Sequence, residues 1–232
     1  MRIELEPIGV MRTPYRSKYD APRQPGVLED AHEAFIDMYP HKNFEQALHD
    51  LCGFDRIWIL SWFDRVGGWK PKVLPPRSSG KRGVFATRSP HRPNPIGLSV
   101  AVLKGIEGLR IVIADSDLLD GTPVLDIKPY LPYADSFPDA AIGWLASESR
   151  ASTFAITYTA GVFDEVNEQG AERLRIHIER VLGLDPLPHP YRRTRRLGDN
   201  RYVLAIRNIR VYYNLDANTV TVTFIEEQRL EP

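Results

Sequence analysis

Short apolar runs rich in β-branched and aromatic residues recur along this chain, each bounded by Gly, Pro or Asp, and that pattern restricts it to an all-β or α+β fold. The runs cover Arg56 to Phe63, Gly83 to Thr87, Leu98 to Leu103, Leu109 to Ala114 and Val124 to Ile127. One helix is expected from Asn43 to Leu51, where Phe44, Leu48 and Leu51 share a face. Strands without regularly spaced helices between them argue against a parallel βαβ sheet. No GxGxxG or Walker A spacing occurs, so the common nucleotide-binding architectures gain no support.

Around 144–151 the pattern turns small and polar, which predicts a junction between a first domain, residues 1–146, and a second, 147–232. The second reads as a strand (Thr153 to Thr159), then a helix from about Asp164 to Leu182 presenting Ala171, Leu174, Ile178 and Val181 on one face. Two strands follow, Arg201 to Tyr213 and Thr219 to Ile225, joined through Asp216-Ala217-Asn218 as a hairpin. The chain is therefore expected to be mainly β, α+β overall, with a small α+β carboxy-terminal domain. Its 232 residues, 43% hydrophobic, suffice to bury such cores.

Net charge is zero, but its distribution is uneven. Between Arg65 and Lys104 lie Lys70, Lys72, Arg77, Lys81, Arg82, Arg88 and Arg92 with no acid among them. A second cluster, Arg192, Arg193, Arg195, Arg196, Arg201, Arg207 and Arg210, is interrupted only by Asp199. Local fields govern phosphate binding, so a neutral total leaves an RNA partner open. The plainer reading of either cluster is a solvated face.

Several chemistries lose support. A single cysteine, Cys52, excludes an intrachain disulfide or Cys-cluster zinc site and reads as a core filler at a helix end. Asp115-Ser116-Asp117-Leu118-Leu119-Asp120-Gly121 lacks calcium-loop spacing and reads as an acidic turn after a strand. Gly97-Leu98-Ser99-Val100-Ala101 lacks the second glycine of a nucleophile elbow. The histidines show no metal-ligand spacing, so no metal is expected. The acidic opening residues and the lack of a long apolar run predict a cytoplasmic protein outside the membrane.

The densest unusual stretch is Ala86-Thr87-Arg88-Ser89-Pro90-His91-Arg92-Pro93-Asn94-Pro95-Ile96-Gly97-Leu98-Ser99. Its prolines fix their own φ and hold Ser89, Arg92 and Asn94 extended. A stiff loop carrying arginines, a histidine, an asparagine and hydroxyls offers many donors at low ordering cost, as a polar ligand requires. A merely rigid connection between strands is the plainer alternative.

This stretch resembles the signature of the TrmO (TsaA/YaeB-like) family of tRNA methyltransferases. Further landmarks follow the same order: Pro7 to Val10 with Arg12 to Tyr15, Leu51 to Asp55 through Trp62-Phe63-Asp64, and Asp120-Gly121-Thr122-Pro123-Val124-Leu125-Asp126-Ile127-Lys128-Pro129-Tyr130. The resemblance implies a single antiparallel β-barrel methyltransferase domain and a homodimer binding S-adenosylmethionine near its interface. It also implies N6-methylation of threonylcarbamoyl-adenosine beside the tRNA anticodon. Carried over by position, Thr87, Arg88, Ser89, His91, Arg92, Asn94 and Gly97 would bind the cofactor, together with Asp120, Thr122 and Leu125. Where relatives often carry Asp-Pro-Arg-Pro, this chain has Leu187, followed by a basic insert from His189 to Arg196.

In an extended segment Asp126, Lys128 and Tyr130 project to one side. That makes them candidates for the methyl-transfer site, with Asp126 or Tyr130 near the acceptor nitrogen; an ion pair that only steadies the strand is the plainer reading of the first two. Arg77, Lys81 and Arg82, with Arg192, Arg193, Arg195 and Arg196, are the candidate tRNA phosphate contacts. Trp62 is expected to pack in a core or interface, and Trp69 to be exposed and able to stack. Two competing functions remain: a non-catalytic RNA-binding module, and a methyltransferase acting on a small molecule or protein.

Overall fold

A computed structural model describes residues 3–17, 21, 33–75, 78, 80–148, 154–164, 166–188, 194–206 and 208–228. The chain divides into two compact units, residues 1–75 with 79–140, and 76–78 with 141–232. In the first, β1 (Gly9–Arg12), β2 (Ala34–Met38), β3 (Arg56–Trp62), β6 (Ile96–Glu107), β7 (Arg110–Ala114) and β8 (Pro123–Pro129) form a closed barrel in the order β1-β2-β7-β6-β3-β8. Every pairing around it is antiparallel. Closure removes the open edges that would otherwise invite pairing with other chains. A two-stranded ribbon, β4 (Lys72–Val73) and β5 (Arg82–Gly83), lies between β3 and β6 in sequence.

The period-2 pattern explains the barrel. Along β3, Ile57, Ile59 and Ser61 point inward while Trp58, Leu60 and Trp62 face outward. Ile36, Ile111, Ile113, Ala101, Leu103 and Met11 complete the core, where each large side chain contributes roughly 1.5–3 kcal/mol on burial. Between β3 and β8 the register slips, with Leu60 opposite Asp126 but Ser61 opposite Val124. That bulge changes the parity of β8, so Val124 and Ile127 serve the core while Asp126 stands on the outer wall.

The second unit is a five-stranded sheet, β10 (Thr194–Gly198), β11 (Arg201–Ile206), β12 (Ile209–Asp216), β13 (Thr219–Glu227) and β9 (Ala155–Tyr158), in that spatial order. Only β9 runs parallel to its neighbour, β13, and the long helix α4 (Glu168–Leu184) lies between them in sequence. Asn167 caps α4 by accepting from the Gly170 N–H at 2.8 Å. Leu174, Ile178 and Leu182 bury against Tyr202, Leu204, Val211, Tyr213, Val220 and Val222 on one face of the sheet. Three four-residue helices, α1 (Phe44–Ala47), α2 (Pro132–Asp135) and α3 (Leu145–Glu148), complete the described elements.

Five local expectations need correction. The helix expected from Asn43 to Leu51 stops at Ala47, because Asn43 and Asp50 take left-handed φ values of 57° and 65° and break the repeat at both ends. Cys52, on the 3₁₀ turn that follows, is exposed instead of filling the core. Gly83 to Thr87 leaves the ribbon at once for a 3₁₀ turn, Val84–Ala86, closed by the Thr87 hydroxyl donating to the Val84 carbonyl at 2.8 Å. Arg201 to Tyr213 is two strands, β11 and β12, paired with each other. Trp62 is half-buried on the barrel's outer wall and takes no part in its core.

Candidate active site

Antiparallel register gathers three connections at one end of the barrel. The end of β3 meets the start of β6 through Trp62 and Ile96, and the start of β8 through Ser61 and Val124. The loop before β6, the turn at 115–122 and the segment after β1 therefore share that end. Hydrogen bonds join the last two to each other and to Arg65 after β3. The Asp120 carboxylate accepts from the Thr13 N–H at 3.2 Å, and Thr13 Oγ1 donates to the Leu118 carbonyl at 3.2 Å. Arg65 donates to the Asp120 and Arg16 carbonyls. Gly121 turns at φ +80°, and a Cβ there would come within 3.2 Å of the Arg65 guanidinium.

The proline-braced loop is further stiffened by its own polar groups. Arg92 Nη1 donates to the Val84 and Thr87 carbonyls at 3.1 and 2.9 Å, and its guanidinium lies 5.6 Å from the centre of the exposed Phe85 ring. The Ser89 and His91 N–H groups donate to Thr87 Oγ1 and Ser89 Oγ, and the His91 ring meets the Gly68 carbonyl at 3.3 Å. Arg88 and Asn94 are exposed. Thr87, Ser89, His91 and Arg92 therefore help to shape the loop with their own hydrogen bonds, while Arg88 and Asn94 face outward.

Beneath the loop is a polar cluster inside the barrel. Gly97 lies opposite Ser61, and a Cβ on it would stand 2.4 Å from Ser61 Oγ and 2.6 Å from the Phe63 ring, so only glycine fits. Ser61 is fully buried, and among the described residues its hydroxyl has no hydrogen-bond partner. Ser99 Oγ donates to Asp117 Oδ1 at 2.6 Å. Burial pushes the Asp117 carboxyl above the usual carboxylate range, with the Ser99 hydrogen bond and the Arg88 charge opposing that rise. Thr122 is buried at the same end, and Leu125 sits in the β8 bulge.

The candidate catalytic residues lie on the outer wall. Lys128 Nζ and Asp126 Oδ2 form a 2.8 Å ion pair, both half-exposed, and Asp126 also accepts from the Ile127 N–H at 2.8 Å. Tyr130 packs against Trp58 with ring centres 5.5 Å apart, and its N–H bonds the Arg56 carbonyl at 3.0 Å. Arg56 is at the opposite end of β3 from Trp62, about 20 Å away at ~3.3 Å per residue. One chain thus brings the cofactor-loop residues together but leaves Tyr130 distant from them. The outer wall around the ion pair is apolar, with Leu60 beside Leu98, which is 61% exposed, and Trp62 beside Ile96.

A family model described as the tRNA-methyltransferase O N-terminal domain matches residues 10–136. The tRNA (adenine(37)-N6)-methyltransferase of Escherichia coli K12 is 41% identical over 205 residues, covering 84% of this chain and 86% of that protein. The chain belongs to the TrmO family. A putative S-adenosylmethionine-dependent methyltransferase of Pseudomonas aeruginosa is 40% identical over 196 residues, covering 81% of this chain and 83% of its own length. The crystal structure of TrmO from P. aeruginosa superposes with a TM-score of 0.64 at 34% identity over 98% of both chains.

Of the candidate phosphate contacts in this TrmO chain, Arg77, Arg192 and Arg193 lie outside the described residues. Lys81 is exposed beside Arg82 on β5. Arg195 and Arg196 are exposed on β10, Arg196 donating to the Gly198 carbonyl at 3.1 Å with Asp199 3.7 Å away. Trp69 is 55% exposed. Sequence reasoning missed Arg65, Asp117 and Ser61. Their roles depend on register and long-range contacts; the one local hint was the acidic run containing Asp117, which had been set aside as a turn.

Proposed function

We propose that this TrmO protein uses S-adenosylmethionine to N6-methylate adenine 37 of tRNA, in its threonylcarbamoyl form, beside the anticodon. The observation carrying this reading is that the proline-braced stretch 86–99 and the turn at 115–122 share one barrel end and are tied by the 2.6 Å Ser99–Asp117 hydrogen bond, with a donor-rich loop beside exposed apolar Phe85. That donor set suits the acceptor-rich parts of S-adenosylmethionine, its adenine, ribose oxygens and carboxylate. Thr87, Arg88, Ser89, His91, Arg92 and Asn94 would hold it, with Asp120, Thr122 and Leu125 from the second segment and Gly97 allowing close approach. S-adenosylmethionine supplies an electrophilic methyl group, which leaves the protein chiefly the task of alignment.

Asp126 or Tyr130 takes the proton lost by the acceptor nitrogen, and Lys128, paired with Asp126 at 2.8 Å, adjusts the local charge. The distance between Tyr130 and the loop favours a homodimer, in which the apolar wall around Leu98 and Trp62 is covered by a second copy. The second unit assists tRNA binding. Asp126→Asn and Lys128→Ala are expected to lower turnover on tRNA at least a hundredfold while cofactor affinity stays within a few fold. Nucleoside mass spectrometry of the treated tRNA is the readout; wild-type turnover in both variants would end the catalytic assignment.

A further inference from the structure

The second unit buries one face of its sheet under α4; the opposite face carries an ordered row of side chains. Register places Arg195, Val203, Tyr212 and Phe224 side by side across β10, β11, β12 and β13. Phe224 is 53% exposed and its ring centre lies 5.8 Å from that of Tyr212. Its outward direction is built in. The register slips after Tyr212, so Thr223 is the extra residue of a bulge and its hydroxyl donates to the Tyr212 carbonyl at 3.2 Å. Val220 and Val222 point to the core, and unbroken alternation would send Phe224 there as well; the bulge gives that place to Ile225 and turns the phenyl ring outward.

Beside this aromatic pair is a concavity lined by Arg195, Val203, Ala205, Arg210, Tyr212 and Gln228. The guanidiniums of Arg195 and Arg210 act electrostatically on the Tyr212 hydroxyl, which donates to Glu226 at 2.9 Å. Glu226 is the acid in contact with the pair, and the arginines of the row and concavity outnumber it. Paired aromatic rings on neighbouring antiparallel strands, flanked by arginines, form a surface on which unpaired bases stack while phosphates meet the guanidiniums.

We infer that Tyr212 and Phe224 form a base-stacking platform for unpaired nucleotides of the tRNA substrate, with Arg195 and Arg210 holding the adjoining phosphates. This rests on the tRNA reading above and adds to it the residues by which the second unit recognises single-stranded RNA. Base-on-ring stacking sets the expected size of the effect: Tyr212→Ala with Phe224→Ala weakens binding of a tRNA transcript to the full chain about tenfold or more. Tyr212→Phe, which keeps the ring, stays within about twofold of wild type, and S-adenosylmethionine affinity is unchanged in both. Replacing Arg195 and Arg210 by alanine lowers the salt dependence of tRNA binding by about one to two in slope.

Wild-type tRNA affinity in the double variant overturns the inference while leaving the methyltransferase reading intact. So does a loss of dimer mass by light scattering, which would assign the face to a second copy. If the double variant loses its cooperative melt, Phe224→Glu, at an already exposed position, must by itself weaken tRNA binding; if it does not, the platform is absent. Wild-type protein that neither binds nor methylates tRNA would bring down the functional reading as well.

Discussion

The two arginine-rich stretches look alike as strings of charge, yet the fold uses them differently. At the barrel end Arg65 donates to the Arg16 and Asp120 carbonyls of two other segments, and Arg92 to the Val84 and Thr87 carbonyls of its own loop, so each ties two stretches of backbone together. On the second sheet Arg196 donates to the Gly198 carbonyl, two residues along, and shapes its own turn. Charge density alone therefore does not separate an arginine that shapes a site from one displayed to a polyanion. What separates them is whether one guanidinium bridges two backbone carbonyls, as at Arg65 and Arg92, or meets the carbonyl of its own turn, as at Arg196.

The sharpest way to break this contrast is Arg92→Ala. It removes donors to two loop carbonyls, and calorimetry should show S-adenosylmethionine affinity falling tenfold or more; Arg92→Lys should not restore it, since an ammonium lacks the fork. An equivalent change at Arg196 should leave cofactor affinity untouched. Gly97→Ala comes next. The added methyl overlaps Ser61 and Phe63 and should cost about 1–3 kcal/mol, read as a lower melting temperature, whereas Gly198→Ala, whose nearest neighbour would be Arg201 at 3.5 Å, should cost less.

The smallest effect sharpens the comparison through pH. Asp117 has a folded-state pKa raised above the ordinary 3.8, so the folded chain holds this proton more tightly than the unfolded chain does. Its ionisation therefore opposes folding at neutral pH, and that opposition fades as pH falls through the raised value toward 3.8. Asp117→Asn keeps an acceptor for Ser99 and removes the charge. Its melting temperature should equal or exceed wild type at neutral pH, with the difference closing on acidification, while cofactor affinity drops a few fold as Arg88 loses its counter-charge. A gap that widens on acidification would contradict the buried-acid account.

Much of the barrel was legible because its strands carry a plain period of two. The run from Arg56 to Phe63 became β3, and Leu109 to Ala114 became β7, each within a residue. β1 and β2, four and five residues long, lacked the length to stand out as runs, and they exist as strands because they pair with each other and with β8 and β7. The break between β11 and β12 escaped notice because apolar residues continue through Ile206 and Ile209 on either side of it. In the site, the proline-rich loop was readable because its constraint is local. The Ser99–Asp117 bond was not, since it joins residues 18 apart whose meeting depends on where β7 ends.

The parallel pairing of β9 with β13 also bears on how a nascent chain acquires its shape. The barrel can close as soon as the segment at 123–129 leaves the ribosome and finds β1. The strand at 155–158, by contrast, must wait for its partner at 219–227. At about 5–20 residues per second that interval lasts roughly 3–14 s. During synthesis the barrel end that carries the proline-braced loop is therefore assembled first, and the sheet of the second unit is completed last.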